Sequence, residues 1–272
     1  MIELENVSET LWLPLFAKAI ESKKDNGLIY DKKAIEIAEK ASQLSPKLHK
    51  WWNNISKELQ GIMIWRYLCI DEYVNNFISK KNESTIVNIG AGLCTRQQRI
   101  NNSSVTWLEF DLPDVKKVWL EFNKESDNHK YFTSNIFEDD WINDIKSLQK
   151  GPVLFIAEGL FMYFSKKQVL EILKKIATNF SGSEIIFEAY SKFLLMLPQT
   201  DVKKTTAKNF PMPWGIKTGK EFEKWDHRLK HLGDNYLMEN KNALKRMPLR
   251  HQIVSFIPLI KKGGKMVHLR FK

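Results

Sequence analysis

Two glycines follow a short apolar run in Asn88-Ile-Gly90-Ala-Gly92, and they are the first sign of a ligand site. Glycines directly after a strand let the backbone approach a ligand closely, and the N–H groups at the start of the next helix attract anionic groups. The dinucleotide-binding fingerprint needs a third glycine where the helix packs on the strand, but Thr95 stands there. This loop alone predicts either a small-molecule site or only a tight turn.

A carboxylate, Asp111, ends the next predicted strand, about 20 residues after the glycines. A carboxylate at this place can accept hydrogen bonds from both ribose hydroxyls of an adenosine cofactor. It could also cap the helix that begins near Pro113, and the two roles are compatible. Adenosine is common to nicotinamide cofactors and S-adenosylmethionine, so Asp111 does not separate them. The incomplete glycine pattern favours S-adenosylmethionine.

A second carboxylate, Glu158, follows the apolar run Phe155-Ile-Ala157 directly. This position lies at the carboxyl edge of a parallel sheet, where α/β proteins bind their ligands. A charge in such surroundings is costly unless it is paired. Glu158 is therefore predicted to face either a sulfonium or ammonium group of a ligand or a nearby Arg or Lys.

The elements that must position these residues follow from the spacing of apolar residues. Helices are predicted near 11–20, at 32–42, at 59–80, from Pro113, after the capping box Ser165-Lys-Lys-Gln168, and at 220–230. Strands are predicted at 85–90, 105–111, 131–133, 152–157, 185–189, near Tyr236 and at 266–271. Alternation of strands and helices at this spacing predicts a parallel α/β sheet.

Several blocks, in this order along the chain, resemble the leucine carboxyl methyltransferase family, and most closely its bacterial polyketide O-methyltransferase-like branch. The blocks are Ser8-Glu-Thr10 with Ala17-Lys18-Ala19, Arg66 with Asp71, 87–96, 109–113, 134–141 and 156–163. The resemblance implies a class I methyltransferase with a Rossmann-like, seven-stranded, mostly parallel sheet whose last strand is antiparallel. It implies an N-terminal helical extension at 1–83 and a cofactor-binding domain at 84–272, with a lid or substrate region at about 191–219.

The resemblance also implies the roles of individual residues toward S-adenosylmethionine. Gly90, Ala91 and Gly92 would lie beside its methionine and ribose, Asp111 would bind the ribose, and Asn135 and Ile136 would hold the adenine. Glu158 would lie near the methionine moiety, Arg66 would bind its carboxylate in a bidentate pair, and Lys18 would be a further carboxylate ligand. Cys94 stands where many relatives carry Asp, and it is either a small inert side chain or a reactive thiol.

Methyl transfer from this cofactor is a direct displacement at carbon, so the protein mainly has to align the reactants. A carboxylate acceptor needs no general base, whereas a hydroxyl must lose its proton. Tyr163 is predicted either to orient the acceptor or to be a core tyrosine. The expected reaction is O-methylation of a carboxylate or hydroxyl of a small molecule, and the net positive charge of the chain mildly favours an anionic one.

The chain has 42 Lys and Arg against 32 Asp and Glu, a net charge of +10, which favours an anionic partner or simply aids solubility. Its two cysteines and the absence of a signal-peptide pattern or a long apolar run predict a soluble cytoplasmic protein without disulfides and without a membrane partner. The sequence leaves the oligomeric state open. His227 and His231 are four residues apart, but without a third ligand they favour a solvated helix face over a metal site.

Three rival functions stay open at this point. A nucleic-acid methyltransferase or binder would use the basic segment 241–272, which contains nine Lys or Arg and no Asp or Glu. Against it, the apolar residues of that segment look like core. They are Leu249, Ile253, Val254, Phe256 and Ile257. The other rivals are a non-catalytic binding protein and a nicotinamide-dependent enzyme. The presence of Arg66, Asp111 and Glu158 argues against a non-catalytic binding protein. The incomplete glycine pattern argues against a nicotinamide-dependent enzyme.

Overall fold

A seven-stranded sheet forms the centre of the protein in a computed structural model that describes residues 10–196 and 213–272. The strands are β1 (Ser84–Ile89), β2 (Val105–Asp111), β3 (His129–Thr133), β4 (Val153–Ala157), β5 (Glu184–Tyr190), β6 (Leu229–Tyr236) and β7 (Gly264–Phe271). Their order across the sheet is β3-β2-β1-β4-β5-β7-β6. Strands β1 to β5 are parallel to one another, and β7 is antiparallel to both β5 and β6. The predicted fold class is confirmed.

Helices cover the sheet and build a layer beside it. Their bounds are α1 (Trp12–Ser22), α2 (Lys32–Leu44), α3 (Pro46–Asn53), α4 (Lys57–Ile78), α5 (Arg96–Ile100), α6 (Pro113–Leu120), α7 (Asp140–Leu148), α8 (Lys166–Asn179), α9 (Lys192–Met196), α10 (Lys241–Leu244), α11 (Leu249–Val254) and α12 (Pro258–Lys261). Helices α7 and α8 pack with one set of buried sheet residues, and α4 packs with another. Helices α1, α2 and α6 share a third core with the loop after β1.

Local sequence explains where several helices begin. The Ser165 hydroxyl accepts from the Gln168 backbone N–H while the Gln168 side chain accepts from the Ser165 N–H, so the predicted capping box is present. Helix α6 begins at Pro113, whose missing N–H costs nothing in a first turn. Asp31 caps α2 through the Ala34 N–H. These caps fix the loops that lead from the strands to the site.

Two sequence predictions in the C-terminal part are wrong. The helix predicted at 220–230 is a short 3₁₀ helix, Gly219–Lys224, and strand β6 already begins at Leu229. The apolar residues predicted as core around α11 are mostly exposed: Leu249, Ile253, Phe256 and Ile257 lie on the surface, and Val254 is half-buried. Periodicity shows which residues share a face but not whether a neighbour covers that face.

Within residues 10–196 and 213–272, the structure contains no helix that is long and apolar enough to cross a bilayer.

Candidate functional site

A cavity of about 380 Å³ lies at the carboxyl edge of the sheet, where the predicted residues converge. Its wall includes the loop after β1, Asp111 at the end of β2, Glu158 after β4 and Tyr190 at the end of β5. Helices α1 and α4 close the other side and contribute Lys18 and Arg66. The parallel strands thus bring together groups that are far apart in sequence.

The glycine loop has the backbone that its sequence requires. Gly90 and Gly92 have φ angles of 68° and 56°, which L side chains rarely adopt. A Cβ on Gly90 would also lie 2.9 Å from the Leu160 side chain. In the strand before this loop, the Asn88 side-chain oxygen is buried, and it has no hydrogen-bond partner among the described residues although Asn88 lines the cavity. A ligand that donates a hydrogen bond would satisfy that oxygen.

Asp111 is held in place by the backbone of two loops. One carboxylate oxygen accepts from the Gly92 N–H at 2.7 Å and the other from the Leu112 N–H at 2.8 Å. Each oxygen keeps a further lone pair for a ligand. Burial raises the pKa of Asp111 to about 6, although these two hydrogen bonds oppose the shift. Asp111 caps no helix, because α6 shows no side-chain cap.

Arg66 on α4 reaches the edge of the sheet and lies between two carboxylates. Its Nη2 lies 3.1 Å from Glu158 Oε1, and its Nε lies 2.5 Å from Glu188 Oε1. Burial alone would raise the pKa of Glu158, but the charges of Arg66, Arg96 and Lys18 overcome it and lower the pKa to about 2. Glu158 is therefore ionised and paired. Its predicted ion pair is present, and a ligand cation could add to it.

A second arginine, Arg96 at the start of α5, completes this arrangement. It donates to Glu158 at 3.0 Å, to Asp71 on α4 at 2.8 Å and to the Cys94 sulfur at 3.3 Å. Arg99, one turn further, donates to Asp71 at 2.6 Å. Because Asp71 lies on α4 and Arg96 and Arg99 lie on α5, these ion pairs hold α4 against the helix that follows the glycine loop.

Lys18 on α1 joins the same cluster through Thr95. The Lys18 ammonium donates to the Thr95 hydroxyl at 3.0 Å, and that hydroxyl donates to Asp31 at 2.6 Å. The Tyr67 hydroxyl donates to the same carboxylate oxygen of Asp31. Lys18 is 5% exposed, yet it lines the cavity, so two of its ammonium hydrogens can point to a ligand.

The whole cluster is balanced in charge. It contains four cations and four carboxylates: Lys18, Arg66, Arg96 and Arg99 with Asp31, Asp71, Glu158 and Glu188. A zwitterion, which carries one ammonium and one carboxylate, suits such surroundings because it adds no net charge to a buried site.

Tyr163 and Cys94, two residues singled out from the sequence, both line the cavity. Tyr163, in a 3₁₀ helix after β4, lines the cavity, and its hydroxyl lies 3.4 Å from the Thr10 hydroxyl. Burial raises the pKa of Tyr163, so this hydroxyl is a hydrogen-bond donor at neutral pH rather than a base. Cys94 is buried, and burial raises the pKa of its thiol, which favours a small inert side chain over a reactive thiol.

The remaining predicted residues lie outside the cavity wall. Asn135 and Ile136 follow β3, and the Asn135 side chain bonds to the Phe137 N–H and to Glu138. His227 is in a turn, and His231 is on β6 with its Nε2 3.0 Å from Asp234, so they share no helix face. No cluster of three metal-ligating side chains occurs in the described ranges.

The far end of the cavity holds a pair of residues that the sequence did not indicate. His251 on α11 has its Nε2 3.2 Å from Glu58 at the start of α4, and both residues line the cavity. The other ring nitrogen, Nδ1, is buried without a partner among the described residues. Between this pair and Arg66 the wall is apolar, with Leu59, Ile62, Met63 and Met247.

Several members of the site were missed by the sequence analysis, although one carried a signal. Glu188 interrupts the apolar strand β5, and a charge inside a buried strand indicates a buried partner. Asp31, Tyr67 and His251 lie in unremarkable polar or mixed segments. Only the tertiary structure connects them to the cavity.

Several known proteins are similar to this chain in sequence. The family model of leucine carboxyl methyltransferase matches residues 13–177. The tetracenomycin polyketide synthesis O-methyltransferase TcmP of Streptomyces glaucescens is 22% identical over 224 residues, which cover 82% of this chain and 80% of that protein. The S-adenosyl-L-methionine-dependent methyltransferase dpfgK of Gibberella zeae is 22% identical over 201 residues, covering 69% and 67% of the two chains.

Two solved structures show the same fold. A DUF574 family protein from Streptomyces avermitilis superposes with a TM-score of 0.54 and 12% identity over 96% of this chain and 97% of that one. A SAM-dependent methyltransferase from Anabaena variabilis superposes with a TM-score of 0.51 and 10% identity over 77% and 85%.

Fold and comparisons together define a class I methyltransferase that uses S-adenosylmethionine. The chain belongs to the leucine carboxyl methyltransferase family. The nicotinamide alternative is therefore wrong.

Proposed function

We propose that this protein is an O-methyltransferase that transfers the methyl group of S-adenosylmethionine to a carboxylate or hydroxyl of a small molecule. The observation that carries the proposal is a cavity that extends from the charged cluster to the apolar part of its wall, which Leu59, Ile62, Met63 and Met247 line. The charged end suits the ammonium and carboxylate of the cofactor's methionine group, and the apolar part suits an apolar acceptor. The O-methyltransferase TcmP, which matches over most of its length, supports the same reaction type.

The residues around the glycine loop fit the adenosine part of the cofactor. Asp111 has one lone pair left on each oxygen for the two ribose hydroxyls, and its position is fixed by Gly92 and Leu112. Gly90, Ala91 and Gly92 line the cavity with backbone rather than large side chains. We assign Asn135 and Ile136 to the adenine, because they follow β3 at the same edge of the sheet and the Ser134 N–H donates to the Asp111 carbonyl.

The charged cluster fits the methionine end. Glu158, ionised at neutral pH, and the unpartnered oxygen of Asn88 would accept from the ammonium group. Arg66 uses Nε and Nη2 for Glu188 and Glu158, which leaves Nη1 for the carboxylate. Lys18 would donate to the same carboxylate. The assignment gives the ammonium and the carboxylate of the methionine group each a partner of opposite charge.

When bound, S-adenosylmethionine supplies a methyl group that its sulfonium already activates. The chain then has to hold the acceptor oxygen in line with the methyl carbon and the sulfur, and to exclude water. Tyr163 is suited to orient the acceptor oxygen, since its phenol stays protonated and lines the cavity near Thr10. It would donate a hydrogen bond to a carboxylate acceptor, whose methylation releases no proton. A hydroxyl acceptor would have to lose its proton to another group, because the protonated phenol of Tyr163 cannot take it.

The shape of the cavity restricts the acceptor. Glu58 and Arg66 are eight residues apart on α4, which corresponds to about 12 Å along the helix axis. The wall between them is apolar, and the buried Nδ1 of His251 at the far end has no partner among the described residues. The acceptor is therefore an elongated apolar molecule whose distal polar group bonds to His251.

We retain four further predictions as part of this proposal. The first is that residues 1–83, of which 1–9 lie outside the described residues, are a helical extension and that 84–272 are the cofactor-binding domain. The substrate region predicted at 191–219 lies partly outside the described residues. A cytoplasmic location and an anionic character of the acceptor stay predictions.

Calorimetric titration with S-adenosylhomocysteine tests the cofactor site, because the product is not consumed. Micromolar binding that weakens in Asp111→Ala is expected. Turnover is then measured with labelled S-adenosylmethionine and three matched acceptors: 2-naphthoic acid, 2-naphthol and 2-(aminomethyl)naphthalene. Mild alkali hydrolyses a methyl ester but not an ether, so the product distinguishes carboxylate from hydroxyl. Methylation of the amine alone would contradict O-methylation, and no cofactor binding by folded protein would contradict the whole assignment.

A further inference from the structure

An apolar surface borders the acceptor end of the cavity. Its residues belong to α9, α11, α12 and the turn between the last two helices, and we name it the α11–α12 surface. They are Phe193, Met196, Leu249, Ile253, Phe256, Ile257 and Leu259. Phe256 is 85% exposed and Met196 84% exposed. Large apolar side chains concentrated in one region mark an interaction surface, whereas single ones do not.

These short helices are apolar on both sides. Leu194, Val254 and Ile260 from the same helices line the cavity, while their sequence neighbours point outward. The helix α9 packs against α12, and α11 leads into α12 through residues 255–257, so the outward residues lie on neighbouring short helices. Nothing in a soluble fold requires the outward residues to be apolar, since a solvent-facing helix side is ordinarily polar.

The same region is strongly cationic. Lys192 together with residues 241–262 comprises seven Lys or Arg and no Asp or Glu. Three acids from elsewhere pair with this set, in the contacts Arg246–Glu21, Arg250–Glu58 and Lys261–Glu239. Exposed cations such as Lys192, Lys245 and Lys262 leave the region with a net positive charge.

We propose that the α11–α12 surface docks the protein on an anionic lipid surface. Apolar side chains such as Phe256 and Ile253 enter the boundary between headgroups and acyl chains, and the surrounding Lys and Arg attract the anionic headgroups. Charge complementarity favours this occupant over a second copy of the chain, because the same cationic region would then face itself. Docking of this kind places the acceptor end of the cavity beside the bilayer.

Vesicle co-sedimentation tests the docking without any methyl acceptor. The full chain is mixed with vesicles of phosphatidylcholine that contain phosphatidylglycerol, and with vesicles of phosphatidylcholine alone. Binding to the anionic vesicles that weakens with added salt is expected. Phe256→Ser should weaken it about tenfold, since that change removes one large buried apolar side chain from the bound state. Leu120→Ser, which alters an apolar residue 51% exposed on α6, is the matched control and should change binding less than about twofold.

The outcomes separate this proposal from the proposed enzymatic function. No binding to anionic vesicles, or binding that Phe256→Ser and Leu120→Ser affect equally, would overturn the docking. Size-exclusion chromatography with light scattering on the same variants gives a further check. A dimer that Phe256→Ser dissociates would show that a second copy covers the surface, and would overturn it as well. Both variants should bind S-adenosylhomocysteine like the original chain, so a failure of docking leaves the cofactor assignment untouched.

Discussion

The pKa of Asp111 gives a quantitative prediction for cofactor binding. Burial raises that pKa to about 6, and the ribose hydroxyls need the ionised carboxylate as acceptor. Below pH 6 the free protein holds a proton that must leave before the ribose binds. At pH 5 roughly one molecule in eleven has Asp111 ionised, so affinity for S-adenosylhomocysteine should be about tenfold weaker than at pH 7.5.

The raised pKa of Asp111 also determines how the cofactor changes the stability of the folded protein at different pH values. The pKa of Asp111 lies above its unfolded value of 3.8, so this group favours the folded state at low pH, and that contribution is lost as pH rises through about 6. Binding to the ionised carboxylate offsets that loss. The rise in melting temperature caused by S-adenosylhomocysteine should therefore be larger at pH 7.5 than at pH 5.

Calorimetry from pH 5 to 7.5 measures the affinity, and repeating it in buffers of different ionisation enthalpy counts the protons released. In Asp111→Ala the affinity should fall tenfold to over a hundredfold at pH 7.5, or about 1.5–3 kcal/mol, and the pH dependence should disappear. The control Asp127→Asn changes an exposed carboxylate and should behave like the original chain. A flat pH profile of the folded original chain would refute the reasoning. An equal pH dependence in Asp111→Ala would contradict the assignment of that dependence to Asp111.

Three further substitutions test other parts of the site. Arg66→Lys should weaken S-adenosylhomocysteine binding about tenfold in calorimetry. The single nitrogen of lysine cannot pair with Glu158 and Glu188 and also supply the separate nitrogen that Arg66 keeps for the ligand carboxylate. Unchanged affinity would contradict this role. Gly159→Ala should lower both the melting temperature and the affinity, since Gly159 has a φ of 66° and its new Cβ would lie 2.7 Å from the Arg66 side chain; a variant as stable as the original would count against this packing. Tyr163→Phe should leave S-adenosylhomocysteine affinity within about twofold and lower kcat on the order of tenfold, and an equal loss of both would place the tyrosine at the cofactor instead.

The sequence by itself determined the sheet and the centre of the site. Apolar runs such as Val153–Ala157 form strands because burial on both faces of a parallel sheet requires continuous apolar residues. Once the strands are parallel, the residues at their carboxyl ends must meet, so the glycine loop, Asp111 and Glu158 were predictable as neighbours. The family blocks added the cofactor.

Only the tertiary structure decided which charged side chains pair with one another and which apolar side chains are buried. Arg66 pairs with Glu188, 122 residues away, because α4 crosses the end of β5, and no local pattern encodes that crossing. The exposure of Ile253 and Phe256 also depends on long-range packing. The spacing of apolar residues predicts that they share a face, but an element from elsewhere in the chain must cover that face to bury them. His251 reaches the cavity for the same reason, through the packing of α11 beside the first turn of α4. Long-range packing, which depends on the whole chain, thus determines which polar groups become a site and which apolar groups stay on the surface.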